Sequence, residues 1–394
     1  MEKLFSLIDS KKEEILSFLQ ALIRIPSFTG NEEKIITFIH QRMKQMGFDH
    51  VEIDEMGNCL GWVGHGSSII HFECHTDTVS VVDESSWVVD PFGAEIIDNH
   101  VTGRGACDEK PAISAMIFAL WALKQMGIPK NYSLLVSCSV MEEDCEGLTV
   151  DHIIKSLSNK PKISVIGEPT DLNISLGQRG RMELDIFTKG VTAHSAFPFK
   201  GENAIYKMAP IISEIEKYDQ ELKSIEPLGK GNITISQISS ESVSLCSVPY
   251  GCKIHLDRRM TIGEDKESIL KELRSLPSMK DVKIEVSEYN AKSWTGFPVK
   301  GQIICPTWQI SEDSPFVKTA VICANQVNNN KAKTIYWTVS TNGVATMGKN
   351  DIPTIGYGPS KIELAHTNEE KVNIDDLIKA TKFYALFAKK IMEE

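Results

Sequence analysis

Much is missing from this chain of 394 residues, and each absence excludes something. No run approaches the ~20 consecutive apolar residues that a membrane helix requires, so a spanning segment is not expected. No basic run with interleaved aromatics occurs, and Lys+Arg total 42 against 53 Asp+Glu, a formal charge of −11. An acidic surface repels phosphate backbones, which argues against a nucleic-acid partner. Cysteines at 59, 74, 107, 138, 145, 246, 252, 305 and 323 contain no C-x-x-C, and their number is odd. That pattern suggests neither a disulfide framework nor a cysteine zinc ribbon. Cys74, Cys138 and Cys252 stand in apolar strand-like runs, where cysteine packs as a small hydrophobe. The first twenty residues mix charge with apolar residues at helical spacing instead of showing a signal-peptide core. A reducing cytoplasm is the expected compartment. Repeats are absent, and the one low-complexity tract, Asn328-Asn329-Asn330, reads as a surface loop.

What is present is enough chain for roughly two domains, since single cores seldom exceed about 200 residues. Residues 1–47 read as helical, broken at Ile25-Pro26-Ser27 and restarting at the cap-like Asn31-Glu32-Glu33. Strands are expected at 59–64, 68–74, 132–140 and 162–167, with a buried helix over 111–127 and another near 147–157. This alternation predicts a mixed, largely parallel α/β sheet. After about residue 178 the order becomes strand 181–188, helix 202–218, strands 232–238 and 252–260, helix 265–275 and strand 281–288. That βαββαβ order is ferredoxin-like. A connector, a helix at 313–326, a strand near 353–357 and a helix over 374–392 return to the first domain. The expected division is 1–178 and 293–394 for one domain and 179–292 for an inserted one.

Polar clusters stand where the first domain's apolar strands end. His75-Thr76-Asp77-Thr78 follows strand 68–74, Glu142-Glu143-Asp144 follows 132–140, and Glu168-Pro169-Thr170 follows 162–167. Asp108, in Gly103-Arg104-Gly105-Ala106-Cys107-Asp108-Glu109-Lys110, lies in a loop feeding the buried helix. In open α/β sheets this edge is where ligands bind. Clustered carboxylates repel and resist ionisation, and bound dications remove that conflict. Imidazole and carboxylate donors suit zinc or a similar ion. The two-residue step from His75 to Asp77 suits a carboxylate that orients a ligand histidine. Of the Glu142-Glu143 pair, one ligates while the other takes a proton from activated water. Cys107 lacks a base partner and reads as a packing residue. His71, in an apolar strand, reads as a satisfied core histidine.

These motifs, in this order, resemble the family of aminoacylases, acetylornithine deacetylases, succinyl-diaminopimelate desuccinylases and glutamate carboxypeptidases. The resemblance also covers the late histidine of Ala365-His366-Thr367-Asn368-Glu369. It implies a metallopeptidase-like catalytic domain with an inserted ferredoxin-like dimerisation or lid domain. It implies two divalent ions, zinc foremost and cobalt or manganese as substitutes, with Asp108 bridging them. His75 and Glu168 would complete one site, and Glu143 and His366 the other. Glu142 would be the general base and Asp77 the orienter of His75. His194, in Val191-Thr192-Ala193-His194-Ser195-Ala196, would stabilise the oxyanion, often across a homodimer. Arg259 and Asn232 would bind a substrate carboxylate. The chain departs from the family in Pro111, where glycine is usual after the lysine, and proline is tolerated in a helix's first turn. Short strings such as Ser340-Thr341-Asn342-Gly343-Val344 resemble a branch of hydrolases associated with selenium metabolism. The expected activity is cleavage of N-acyl amino acids by metal-activated water. A dipeptidase or carboxypeptidase using the same residues is the rival, and a binding or dimerisation module without catalysis is the remote one.

Overall fold

A computed structural model describes residues 1–280, 282–329 and 332–393. Its large sheet has nine strands among these residues. Tyr132–Ser139, Ser68–His75, Ile163–Ile166 and Thr354–Gly356 lie side by side and parallel at its centre. Both flanks are antiparallel. Cys59–Gly64 and His50–Ile53 extend one side, while Ile174–Gln178 and Trp308–Gln309 extend the other. Thr334–Trp337 adds a parallel pairing to Ile174–Gln178.

The central strands are continuous apolar runs because both their faces are covered. Every residue of Tyr132–Ser139 and Ile163–Ile166 is buried. Helices Lys110–Met126, Lys12–Ile23 and Ile374–Glu393 pack with them into one core. The scarce aromatics concentrate there. Tyr357 stacks on Phe383 at 3.6 Å, and Phe72, Tyr384 and Phe387 surround the pair. Pro111 occupies the first turn of helix Lys110–Met126, where a missing N–H is harmless.

The second sheet runs Asn232–Glu241, Gly251–Met260, Gly180–Lys189, Lys283–Val286, all antiparallel. This is the strand order of a ferredoxin-like unit. Residues alternate buried and half-exposed along Gly180–Lys189 and Gly251–Met260. Their apolar face meets helices Ala204–Glu221 and Lys266–Ser275 in a core of its own. Ile304–Cys305, from the returning chain, also pairs with Gly180–Lys189. The strand expected over 281–288 divides into Lys283–Val286 and Glu288–Lys292, and position 281 lies outside the described residues. In the asparagine tract, Asn328 ends helix Pro315–Asn328 and Asn329 is its left-handed cap; Asn330 lies outside the described residues. Among the described residues no helix is long and apolar enough to cross a membrane.

His75 ends one of the four parallel strands, and Glu142, Glu168 and His366 follow the carboxyl ends of the others, where adjacent chains diverge and leave a crevice.

Candidate metal centre and active site

Two triads of ligand atoms meet at this edge. His75, Asp108 and Glu168 form one, and Asp108, Glu143 and His366 the other, with the atoms of each triad within 4.8 Å of one another. His75 Nε2 lies 2.9 Å from Asp108 Oδ1 and 3.7 Å from Glu168 Oε1. His366 Nε2 lies 2.9 Å from Glu143 Oε2 and 3.3 Å from Asp108 Oδ2. Asp108 therefore offers one oxygen to each triad.

Glu142 and Glu143 stand on a short helical turn, Glu142–Cys145, that opens at Met141 in the left-handed conformation. Such a turn lets adjacent acids share one crevice, which a regular strand does not permit. Asp77 holds the turn. Its Oδ1 accepts the Glu142 N–H at 3.0 Å, and its Oδ2 accepts the Glu143 N–H at 3.1 Å and the Thr29 hydroxyl at 2.8 Å. His75 Nδ1 meets the backbone carbonyl of Asp77 at 3.0 Å, with the carboxylate 3.6 Å away. The orienting contact to His75 is thus through the main chain, while the carboxylate organises the acidic turn.

Several contributors escaped the sequence reading. Glu109 Oε1 accepts the His75 N–H at 2.5 Å. Asn342 donates to Glu73 and Ser139 while its Oδ1 accepts the Gly147 N–H at 2.8 Å. Arg104 pairs with buried Glu370, which accepts the His366 N–H at 3.1 Å. None of these shows periodicity or motif spacing of its own, although Glu109, Asn342 and Arg104 lie inside strings already singled out.

A cavity of about 310 Å³ opens over the triads, lined by Glu142, Glu146, Arg181, Arg259, Ser340 and Ile362 among others. Arg259 reaches it from the second sheet, with Nε and Nη2 donating to Asp257 at 2.8 and 3.1 Å. Asn232 pairs with Arg259 across the strands but does not line the cavity. His194 is exposed on the second domain, likewise outside the cavity, and its Nδ1 accepts the Ala196 N–H. Buried Cys107 donates to the Lys361 carbonyl, and burial pushes its thiol far above the usual range.

Electrostatically the cluster is unbalanced. Burial drives the carboxyls of Glu142, Glu168 and Glu109 well above the usual range, with Asp108 and Glu109 adding to the shift at Glu168. Burial opposes ionisation of Asp108 too, yet hydrogen bonds from His366 and His75 hold it low. By donating to Asp108 and Glu143, His366 is itself raised to about 10. Protons are thus recruited to offset the carboxylates. Even so, Glu142 Oε1 and Glu109 Oε2 are buried without a hydrogen-bond partner. Two triads of imidazole nitrogen and carboxylate oxygen, sharing one aspartate, fit two divalent cations, which would replace those protons.

Comparison with known proteins places this geometry. The profile of peptidase family M20/M25/M40 matches residues 71–390. YgeY of Escherichia coli K12 is 40% identical over 375 residues, covering 94% of this chain and 93% of that protein. The M20 family metallo-carboxypeptidase Sso-CP2 of Sulfolobus solfataricus has a similar fold, with a TM-score of 0.75 at 17% identity, over 97% of this chain and 100% of that one. YXEP of Bacillus subtilis, described as a dinuclear metal binding peptidase, has a TM-score of 0.71 at 13% identity, over 98% and 99%. The chain belongs to peptidase family M20/M25/M40 and is a metal-dependent hydrolase.

Proposed function

We propose that the chain hydrolyses the amide bond of N-acyl amino acids, with residues 1–178 and 293–394 as the catalytic domain and 179–292 as its lid. The observation that carries this reading is Glu142, buried, with one carboxylate oxygen unpartnered on the wall of a cavity shared with the two triads. His75, Asp108 and Glu168 would hold one cation and Asp108, Glu143 and His366 the other. When bound, two zinc ions, or cobalt or manganese in their place, polarise the scissile carbonyl and acidify a water. Glu142 takes the proton of the attacking water and returns it to the departing amine nitrogen. Asp77 keeps Glu142 on its turn. Arg259, fixed by Asp257 through Nε and Nη2, keeps Nη1 for a substrate carboxylate, with Asn232 beside it.

His194 is read as the oxyanion donor brought to the cavity of a second copy. Support comes from the edge strand Asn232–Glu241 and from exposed Phe197, Phe199, Ile238 and Leu245, which give this domain an apolar, unpaired border suited to a homodimer. Cytoplasmic residence accords with an odd number of cysteines, most of them buried. A dipeptidase or carboxypeptidase is the second reading, favoured by the peptidase neighbours of the fold.

The test is amine release from a panel of N-acyl amino acids and dipeptides by metal-loaded protein, beside Glu142→Gln. Turnover that falls about 1,000-fold in the variant at unchanged metal content supports the assignment of the base. Equal activity in the two proteins would overturn it.

A further inference from the structure

The turn from Met141 to Gly147 carries the proposed base and one proposed ligand, and its main chain is held chiefly by side chains from distant segments. Asn58 Oδ1 accepts the Val140 N–H at 3.0 Å, Asp77 takes those of Glu142 and Glu143, and Asn342 takes that of Gly147. The N–H of Met141 goes to Glu32. Glu32 Oε1 accepts it at 3.1 Å and accepts the Gly30 N–H at 2.9 Å. Glu32 is fully buried and lies at the N-cap of helix Glu33–Gln45, yet its side chain makes no cap bond to that helix. The ordinary role of an acid at a helix start is therefore not the one it fills. Its target is also the unusual residue of the turn. Met141 has φ of 60°, a region that non-glycine residues seldom enter. The direction in which Glu142 leaves the strand depends on that residue keeping this conformation.

We propose that Glu32 is a positioning residue for the reaction: by accepting the Met141 N–H it fixes the left-handed residue that aims Glu142 into the cavity. The neighbouring segment braces the same edge. Ser27 Oγ donates to the Thr76 carbonyl at 2.7 Å, and the Thr29 hydroxyl donates to Asp77. Residues 27–32 thus underpin both His75-Thr76-Asp77 and the acidic turn. This assignment rests on Glu142 being the base, so its test has one arm that does not depend on turnover.

Three variants decide it. Glu32→Gln keeps an oxygen acceptor of the same reach, Glu32→Asp withdraws it by one methylene, and Glu32→Ala removes it. Amide exchange of the peptide covering 140–147 is expected to speed up about tenfold or more in the alanine and aspartate variants and to stay at the wild-type rate in glutamine. With the substrate found for the wild type, kcat should fall about 100-fold in alanine and recover to within about threefold in glutamine, at unchanged KM and metal content. A role in folding alone would lower melting temperature and yield while leaving kcat per metal-loaded molecule unmoved, and that result overturns the proposal. Glutamine as impaired as alanine also overturns it. Should the alanine variant not fold, glutamine against aspartate decides: equal exchange rates in 140–147 refute the proposal. A wild type silent on every substrate would count against the proposed function, and the exchange arm would still decide Glu32.

Discussion

The two sheets of this molecule treat polar side chains in opposite ways. In the large sheet, polar groups lie inside. His71 is fully buried with Nδ1 2.9 Å from Ser164 Oγ and Nε2 2.7 Å from Ser137 Oγ, and Glu73 is fully buried against Ser139 and Asn342. In the second sheet the core is apolar except for Arg258, buried near its end and paired with Glu264, and the remaining charge lines the other face. Lys253 and His255 meet Asp185, His255 also meets Glu183, and Arg181 bridges Glu183 to Glu146. A buried polar group loses water and is costly without partners, so each bond it makes fixes a geometry; a charge beside water can exchange partners at little cost. The first sheet therefore has the rigidity to hold ligand residues, while the second has a wettable surface that becomes specific only where Arg181 and Arg259 reach the cavity.

The largest effect should come from breaking the buried network. Asn342→Ala removes the donor to Glu73 and Ser139 and strands the Gly147 N–H, all out of water. A loss of about 3 kcal/mol is expected by denaturant unfolding. A loss under about 1 kcal/mol would mean that the buried polar groups of the large sheet are incidental to it.

That network also marks where sequence reading runs out. The parallel strands were legible because they are unbroken apolar runs, and the acidic cluster because His75, Glu142 and Glu168 stand where such runs stop. His366 follows a three-residue strand with no periodicity, and only the family resemblance singled it out. Glu32 looked like part of a helix start because its partner, Met141, is 109 residues away. Arg181 was hidden in an ordinary alternating strand. His194 fitted a motif, but it stands exposed and outside the cavity. Contacts of long sequence separation leave no local signal, and most of the residues that hold the site in place act through such contacts.

The next effect is read in pH. Burial depresses the His71 pKa to about 3, against about 6.5 in an unfolded chain. The unfolded state therefore binds a proton between those values that the native state refuses. Stability from this group is full above about 6.5 and declines as pH falls, by about 2 kcal/mol at pH 5. In His71→Gln the contribution is absent, so the stability difference between wild type and variant should shift in the variant's favour by that amount from pH 7 to pH 5. A pH-independent difference would show that the imidazole titrates normally inside the sheet.

Smaller still is the effect expected at the cavity end of the second sheet. Arg181→Gln leaves buried Glu146 without its cation at 2.6 Å and weakens the frame around Asp257, which holds Arg259. About 1–2 kcal/mol of stability should go, and KM should rise more than kcat falls, since the grip proposed for Arg259 loosens while Glu142 stays in place. A fall in kcat alone would place Arg181 with the acidic turn and not with the substrate.

The smallest effect belongs to the same charged face, away from the cavity. Lys253 is 3.0 Å from Asp185, with 41% of its side chain exposed. Its ammonium is already hydrated, and His255 still faces Asp185 from the same strand when the lysine is gone. Lys253→Gln should change stability by less than about 0.5 kcal/mol and leave turnover unaltered. Moderate salt should erase even that difference, because exposed pairs are screened over a Debye length of about 10 Å at 0.1 M. A loss comparable to that of Asn342→Ala would remove the contrast between the two sheets, since the outer charges would then be as indispensable as the buried ones. Agreement would locate the constraint on this fold in its buried polar contacts and leave the face of the second sheet free to change.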